Sequence, residues 1–243
     1  MEKSMQEKLN TFLRRHKNLN IPKIQEMVRE YAISDLELAR SYFTKKYGVS
    51  QSVFYKSRDF AVTNWLVDDS ICKKLKEKSV ANYTNHNPNG NGIAAIANFK
   101  ELLQKREEYL LDVPEDFIME IANMYAQGKE AGEIAYYYST SISFVRHLLM
   151  RGIQELIIPS KIFEEIISLM PDKSCINHIM LLREINKKTL LNYQASEIKL
   201  LKYKVSNYPS YFRLDSEIAP TISELKEELK KAEERYQKTM REF

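Results

Sequence analysis

Side chains suited to contacting nucleic-acid bases cluster at two places in the chain, 91 positions apart. Glutamine pairs bidentately with adenine and arginine with guanine. Lysine, serine and tyrosine commonly hold phosphates and so fix the register of a protein on a duplex. On the exposed face of a helix that enters a major groove, such side chains would contact double-stranded DNA. The first cluster comprises Ser50, Gln51, Ser52, Tyr55, Lys56 and Arg58, and the second comprises Ser141, Ser143, Arg146, His147 and Arg151.

Each cluster lies at the start of the second helix in a predicted helix-turn-helix. The first copy spans 43–56 with the turn Tyr-Gly-Val-Ser, and the second spans 134–147 with the turn Tyr-Ser-Thr-Ser. Gly48 adopts a left-handed backbone at low cost, and Ser50 is a natural N-cap for the following helix. Because a helix-turn-helix places its second helix in the major groove of DNA, two copies predict two DNA-reading helices.

The similarity between the two copies continues beyond the turn. Residues 62–67 align with 153–158, and the apolar pattern of 71–75 recurs at 162–166. Such an extended match predicts duplication of a whole three-helix unit. The predicted fold is therefore all-α, with two related helix-turn-helix trihelical domains and a helical C-terminal region.

In the second copy, the pair Val145-Arg146 is followed by Arg151, Ile153 and Leu156. With these residues the second copy resembles region 4 of sigma factors over about 25 residues, around a tenth of the chain. It implies DNA binding, with RNA polymerase or another protein as a possible partner. The sigma segments that bind the polymerase clamp and the minus-ten element have no counterpart in this sequence, so the resemblance supports DNA binding in general.

Composition sets only broad bounds on function. Among 243 residues, 44% are hydrophobic, the net charge is +4, and there are only six glycines and seven prolines. This balance favours long helices and permits nucleic-acid binding without demanding it. Two distant cysteines, with no signal peptide and no long apolar run, predict a soluble cytoplasmic protein without a membrane partner.

Breaks in the periodicity predict four segments. These are 1–81 with the first helix-turn-helix, an Asn/Pro/Gly loop at 82–92, 93–170 with the second helix-turn-helix, and a C-terminal region at 171–243. Within the last segment, separate helices are expected at 174–186 and 195–204. The residues of 207–214 are expected to be irregular.

Two capping boxes are predicted, Ser34–Glu37 and Thr221–Glu224. The helix after the second box carries an apolar seam at intervals of three and four residues. Two readings of this seam are open, a homodimeric coiled coil through 221–240 or a last helix packed on its own domain. The seam consists of Ile222, Leu225, Leu229, Ala232 and Tyr236.

Other chemistries find little support in the sequence. Cys175 and His178 have metal-ligand spacing, but a structural zinc site needs two further ligands. The glycines of 89–92 lack the lysine and hydroxyl of a P-loop. No nucleophile–histidine–acid grouping and no pair of carboxylates stands out. We therefore predict no catalytic residue, no metal and no cofactor.

The sequence best predicts a non-enzymatic protein that binds double-stranded DNA sequence-specifically in transcriptional regulation. One alternative is a helical protein-interaction module, such as an adaptor or an inhibitor. Another is DNA binding for the replication or segregation of a plasmid or phage. The pattern of residues does not separate regulation from the last of these roles.

Overall fold

The described part of the chain is all-helical. A computed structural model of the protein describes residues 5–34, 40–86, 93–170, 173–208 and 220–243, and every regular element in these ranges is an α-helix. The chain divides into two compact units, 1–149 and 150–243. Among the described residues, no helix is long and apolar enough to cross a membrane.

The first unit contains eight helices in the described ranges and the beginning of a ninth. The ninth helix, α9, continues past the unit boundary. In chain order the helices are α1 (Met5–Arg15), α2 (Ile21–Ile33), α3 (Arg40–Tyr47), α4 (Gln51–Thr63), α5 (Asp69–His86), α6 (Ile93–Leu111), α7 (Glu115–Ala126), α8 (Ala131–Tyr137) and α9 (Ile142–Gln154).

Local capping explains where several of these helices begin. Asn20 caps α2 by accepting a hydrogen bond from the Lys23 amide, and Pro22 lies in the first turn, where its missing N–H costs nothing. Ser50 caps α4 in the same way, accepting from the Val53 amide. The predicted capping box at Ser34–Glu37 lies largely outside the described residues. Ser34 itself ends α2, where its amide donates to the Glu30 carbonyl.

The core of the first unit is built around aromatic side chains from three helices. Tyr31 makes edge-to-face contacts with both Phe43 and Phe54, and all three side chains are buried. Lys78 of α5 is also buried, with its ammonium over the Tyr31 ring and donating to the carbonyls of Tyr31 and Ser34. These contacts lock the end of α2 to α5.

The predicted loop at 82–92 is only partly described. Residues 82–86 belong to α5, so the helix extends further than the sequence predicted, and 87–92 lie outside the described residues. On the far side of this segment, α6 packs against both α4 and α5. Helices on either side of the predicted loop therefore share one core, and the predicted domain boundary there stays a prediction.

The second unit contains α10 (Ser160–Leu169), α11 (Lys173–Ser206) and α12 (Ile222–Glu242). The two helices predicted at 174–186 and 195–204 are a single helix, α11. The intervening residues 187–194 contain neither glycine nor proline, so nothing interrupts the backbone hydrogen bonding. Most of 207–214, predicted to be irregular, lies outside the described residues.

The last helix packs on its own chain. Its predicted capping box is present, since Thr221 accepts from the Glu224 amide and Glu224 accepts from the Thr221 amide. Leu225 and Ala232 of the predicted seam are buried against α11, in a cluster with Leu201. This part of the seam is therefore covered within the chain, as the second of the two readings predicts, whereas Ile222 is exposed. The homodimer through 221–240 stays a prediction.

Candidate nucleic-acid interface

The same backbone turn occurs twice, at an interval of 91 residues. Gly48, between α3 and α4, has φ 65°, and Ser139, between α8 and α9, has φ 53°. Trp65 and Leu156, just after α4 and α9, have φ 56° and 57°. The bounds of α9 coincide with those of α4 shifted by the same interval. The two helix pairs thus share the turn geometry, the length of the second helix and the left-handed residue that follows the second helix.

A buried arginine clamps the chain after each of these second helices. Arg106 of α6 donates to the carbonyls of Val62 and Val67, and Arg183 of α11 donates to the carbonyl of Ile158. Val67 and Ile158 are equivalent positions of the repeat. Sequence analysis missed both arginines. Their signal is that each occupies a position on the apolar face of its helix, where an uncharged side chain is expected.

The face of α4 at its N-terminal end is open. Ser50, Gln51, Ser52 and Lys56 are exposed, and Tyr55 is half-buried. Lys56 forms no salt bridge with any described residue, so its ammonium is free to meet an anion. These side chains lie in the first two turns of the helix, where the helix dipole also favours negative charge.

Arg58 is placed differently from the other predicted contacts on α4. Its guanidinium donates to the Asp59 carboxylate from Nε and Nη2, at 2.8 and 2.6 Å, and lies over the Tyr55 ring. The side chain is largely buried and its charge is balanced by the neighbouring acid. Arg58 therefore lies at the flank of the open face and supports Tyr55.

The N-terminal end of α9 is covered, in contrast to that of α4. Ser141 is fully buried and its amide donates to the Trp65 carbonyl, 2.9 Å away. The Thr140 hydroxyl donates to the same carbonyl. The Ser143 amide donates to Asp68 Oδ1 at 3.0 Å, and the Asp69 amide donates to Ser143 Oγ at 3.2 Å. The chain between α4 and α5 thus caps the start of α9.

Aromatic packing strengthens this docking. The rings of Phe144 and His147 lie against the Trp65 indole, with centroid separations of 5.6 and 4.9 Å. His147 Nε2 is 3.0 Å from Asp69 Oδ2. Partial burial raises the pKa of Asp69, but the hydrogen bond from His147 and the charge of Arg106 outweigh it and hold the pKa below its ordinary value.

The docking changes what the second predicted cluster offers to DNA. Ser143 and His147 occupy the repeat positions of Ser52 and Lys56, and both are engaged by residues 68–69. Ser141 has no exposed surface through which to contact DNA, because it is enclosed beneath Trp65. The interface proposed below therefore omits Ser141, Ser143 and His147.

The two predicted arginines of α9 differ from each other. Arg146 is exposed and forms no salt bridge within the described part of the chain. Arg151, in the second unit, is mostly enclosed, and its Nε donates to Glu155 Oε2 at 2.9 Å. Of the second cluster, Arg146 alone keeps an exposed side chain without an intramolecular hydrogen bond or ion pair among the described residues.

A wide cleft opens beside α8 in the first unit. Its volume is about 1180 Å³, and it lies between residues of α2 and the α8–α9 turn. Tyr136 and Tyr137 are strongly exposed at its wall, as is Ile33. Glu30, also at the wall, accepts hydrogen bonds from Lys46 and Tyr47, which hold its pKa below the ordinary value.

Reactive groups are sparse in the described ranges. No three His, Cys, Asp or Glu side chains there are grouped so as to hold a metal ion. Cys72 is buried, and this burial raises the pKa of its thiol to about 11, which suppresses the thiolate. The Cys175 side chain and the glycines of 89–92 lie outside what the structure describes.

Comparison of the chain with protein-family models, with curated proteins and with solved structures gives no significant match. Any assignment of function therefore rests on the geometry of the chain itself.

Proposed function

We propose that the chain binds double-stranded DNA through α4, acting as a sequence-specific regulator of transcription. The observation that carries this proposal is the difference between α4 and α9. Equivalent helices follow equivalent turns, yet α4 presents a polar and cationic N-terminal face to solvent while that of α9 is docked on residues 65–69.

The chemistry of the open face suits a major groove. Gln51 lies in the first turn of α4, where an amide side chain can pair with the N6 and N7 atoms of adenine. Ser52, Tyr55 and Lys56 flank it with phosphate-binding groups. The aromatic core beneath, with Phe54 buried, fixes the orientation of the helix. A rigid helix with one base-reading amide and several phosphate contacts is the arrangement that a helix-turn-helix uses.

In this proposal the second helix pair has a mainly structural role. Its N-terminal turn covers the connection between α4 and α5 by hydrogen bonding to the Trp65 carbonyl, just after the recognition helix ends at Thr63. Arg146 remains exposed and can add a contact to the duplex. The proposal therefore replaces two equal DNA-reading helices with one principal helix and one supporting helix.

Single substitutions on α4 test the proposal. We expect Lys56→Ala to weaken binding to all duplex sequences alike and to reduce the dependence of affinity on salt by about one ion. We expect Gln51→Ala to lower discrimination at one base pair by about 1–3 kcal/mol. Fluorescence anisotropy with labelled duplexes across a salt series measures both effects.

Lys226→Ala is the matched control, because it removes the same charge from an exposed position on α12. Equal affinities and salt slopes for Lys56→Ala and Lys226→Ala would contradict the assignment of α4. Arg146→Ala then reports whether α9 contributes, since its side chain is exposed without an ion pair among the described residues.

The cleft favours a second candidate, a protein-interaction module. Tyr136, 88% exposed, and Tyr137 present aromatic surface of the kind that is enriched at protein interfaces. Binding of a protein there would leave α4 unused. Two results together would support this candidate over DNA binding. The unaltered chain would bind no DNA duplex, and capture of a protein partner would be lost in Tyr136→Ala but retained in Lys56→Ala. The replication and segregation alternatives use the same DNA contacts as transcriptional regulation.

A further inference from the structure

The two copies of the repeat differ at the residue that begins the helix after each left-handed position. Asp69 begins α5 and Ser160 begins α10, at the same interval that separates the two turns. In the first copy the Asp69 carboxylate accepts a hydrogen bond from Arg106 Nη2 at 3.0 Å, so the buried cation has a counter-ion. The second copy has an uncharged hydroxyl at the equivalent position.

The buried arginine of the second copy lacks such a counter-ion. Arg183 is 3% exposed, and its Nη2 donates to the Ile158 carbonyl at 2.7 Å. Its Nη1 is enclosed and has no hydrogen-bond partner among the described residues. Glu184, the next residue, attracts Arg183 electrostatically but forms no salt bridge with it. Because an unpaired donor of a buried cation is costly, a negative group beside this guanidinium would stabilise the second unit.

Ser160 lies beside this guanidinium. Its hydroxyl donates to the Phe243 carbonyl at 3.0 Å, and the centre of the Phe243 ring is 5.6 Å from the guanidinium carbon of Arg183. Arg183 also holds the Ile158 carbonyl, two residues before Ser160. In the first copy a single Nη2 atom reaches both the corresponding carbonyl and the Asp69 carboxylate. The same reach brings a negative group on Ser160 within hydrogen-bonding distance of Arg183.

We propose that Ser160 is a phosphorylation site, whose phosphoryl group occupies the place that the Asp69 carboxylate has in the first copy. A protein kinase transfers the terminal phosphoryl group of a nucleoside triphosphate to this serine. A P–O bond forms to Ser160 Oγ, the bond to the β-phosphate breaks, and the hydroxyl proton passes to the base of the kinase. Ser160 is only partly buried, so its hydroxyl is open to such an enzyme once it releases the Phe243 carbonyl.

The start of α10 favours negative charge for two further reasons. Ser160 is the first residue of a helix of 10 residues, whose N-terminal amides and dipole attract an anion. Lys161 beside it is exposed and forms no salt bridge with any described residue. Glu164, one turn further along, is also exposed, so water and salt screen its repulsion. A phosphoryl group on Ser160 thus meets more attraction than repulsion.

Phosphoserine incorporated at position 160 of the full chain during synthesis tests the proposal. Hydrogen exchange followed by mass spectrometry reports the opening of α10. We expect the phosphoryl group to slow exchange of the α10 amides by about tenfold, because it adds charge-assisted hydrogen bonds to a buried cation. Arg183→Met should remove most of this gain, and Ser160→Asp should reproduce part of it.

Phosphoserine at position 223 is the matched control. Ser223 is exposed in the first turn of α12 and also has a glutamate four residues later, and both buried arginines of the described residues hold carbonyls elsewhere. We expect exchange of the α12 amides to slow by about twofold, the effect of the helix dipole alone. An equal gain at both positions, or a gain at position 160 that persists in Arg183→Met, would overturn the pairing with Arg183.

Two further measurements separate a covalent phosphoryl group from free phosphate. Inorganic phosphate at millimolar concentration should leave exchange of the unmodified chain unchanged, because Nη1 of Arg183 is enclosed and only a tethered group displaces its cover. Protection by free phosphate that Arg183→Met abolishes would overturn the modification. Mass spectrometry of the chain from the cells in which it occurs, with phosphatases inhibited, should find phosphate on Ser160, and its absence there would overturn the proposal.

Discussion

Replacement of Arg106 by methionine should strongly destabilise the first unit. Arg106 is 2% exposed, and its guanidinium donates to the carbonyls of Val62 and Val67 and to Asp69 Oδ1, all within 3.0 Å. It also lies 3.5 Å from the centre of the Trp65 ring. Methionine fills similar space but donates nothing, so both carbonyls lose their arginine donor.

The magnitude follows from these contacts. A buried polar group left without its partner costs about 1–3 kcal/mol, and a desolvated cation–π contact contributes about 2 kcal/mol. Asp69 is half exposed, so water compensates for most of its lost partner. We therefore expect Arg106→Met to lower the free energy of unfolding by about 3–5 kcal/mol. With a urea dependence of about 2 kcal/mol/M, the unfolding midpoint falls by about 2 M.

Arg183→Met is the matched comparison. Arg183 holds the equivalent carbonyl, that of Ile158, and its guanidinium lies over the rings of Phe163 and Phe243, but its Nη1 has no hydrogen-bond partner among the described residues. Burial lowers the pKa of this guanidinium, and the negative charge of Glu184 compensates only part of that effect. We expect Arg183→Met to cost about 1–2 kcal/mol, less than Arg106→Met, because relief of the burial cost offsets part of the lost hydrogen bond and cation–π contacts.

Urea unfolding followed by two signals measures both variants. Trp65, the sole tryptophan of the sequence, lies in the first unit and reports its unfolding by fluorescence, while circular dichroism reports all helices. An Arg106→Met variant that loses less than about 1 kcal/mol, or an Arg183→Met variant that loses as much as Arg106→Met, would refute this account of the two clamps.

Three further predictions concern turns, acid and caps. Gly48→Ala should lower the free energy of unfolding by about 1 kcal/mol because the backbone φ there is 65°, and Ser139→Gly should raise it by about 0.5 kcal/mol because φ is 53°. Urea unfolding measures both changes, and two changes of the same sign would contradict the strain assigned to the two turns. The pKa of Asp69 is lowered on folding, so its stabilising contribution is present above about pH 4 and is lost as the pH falls through the lower folded value. The stability difference from Asp69→Asn should shrink over that window, and a constant difference would exclude this linkage. Thr221→Ala should lower the thermal midpoint of the second unit by removing a cap that contributes about 1 kcal/mol, and an unchanged midpoint would show that the cap is dispensable.

The all-helical fold and the ends of several helices could be predicted from local sequence. Few glycines and prolines favour long helices, and caps such as Ser50 and Thr221 act within three residues of themselves. The interval of 91 was visible because corresponding side chains retained their type. These are short-range signals, and they require no knowledge of which helices meet.

The sequence could not show which surfaces are covered. Ser143 and His147 look like contacts to DNA until residues 68–69, far away in the sequence, occupy them. The seam of α12 leaves two readings open in the sequence, and α11 covers Leu225 and Ala232 of it. Both cases have one cause, since an amphipathic or polar pattern predicts that a face has a partner without identifying the partner.

Selection of bound fragments from a random duplex library, followed by titration of the enriched duplex against salt, tests the central claim most directly. We expect each chain to select one short base sequence that fits within a single segment of the major groove. We also expect affinity to fall steeply as the salt concentration rises, with a salt dependence about one ion smaller for Lys56→Ala. No enriched motif, or an enriched motif that Lys56→Ala and Gln51→Ala bind as tightly as the unaltered chain does, would contradict DNA recognition by α4.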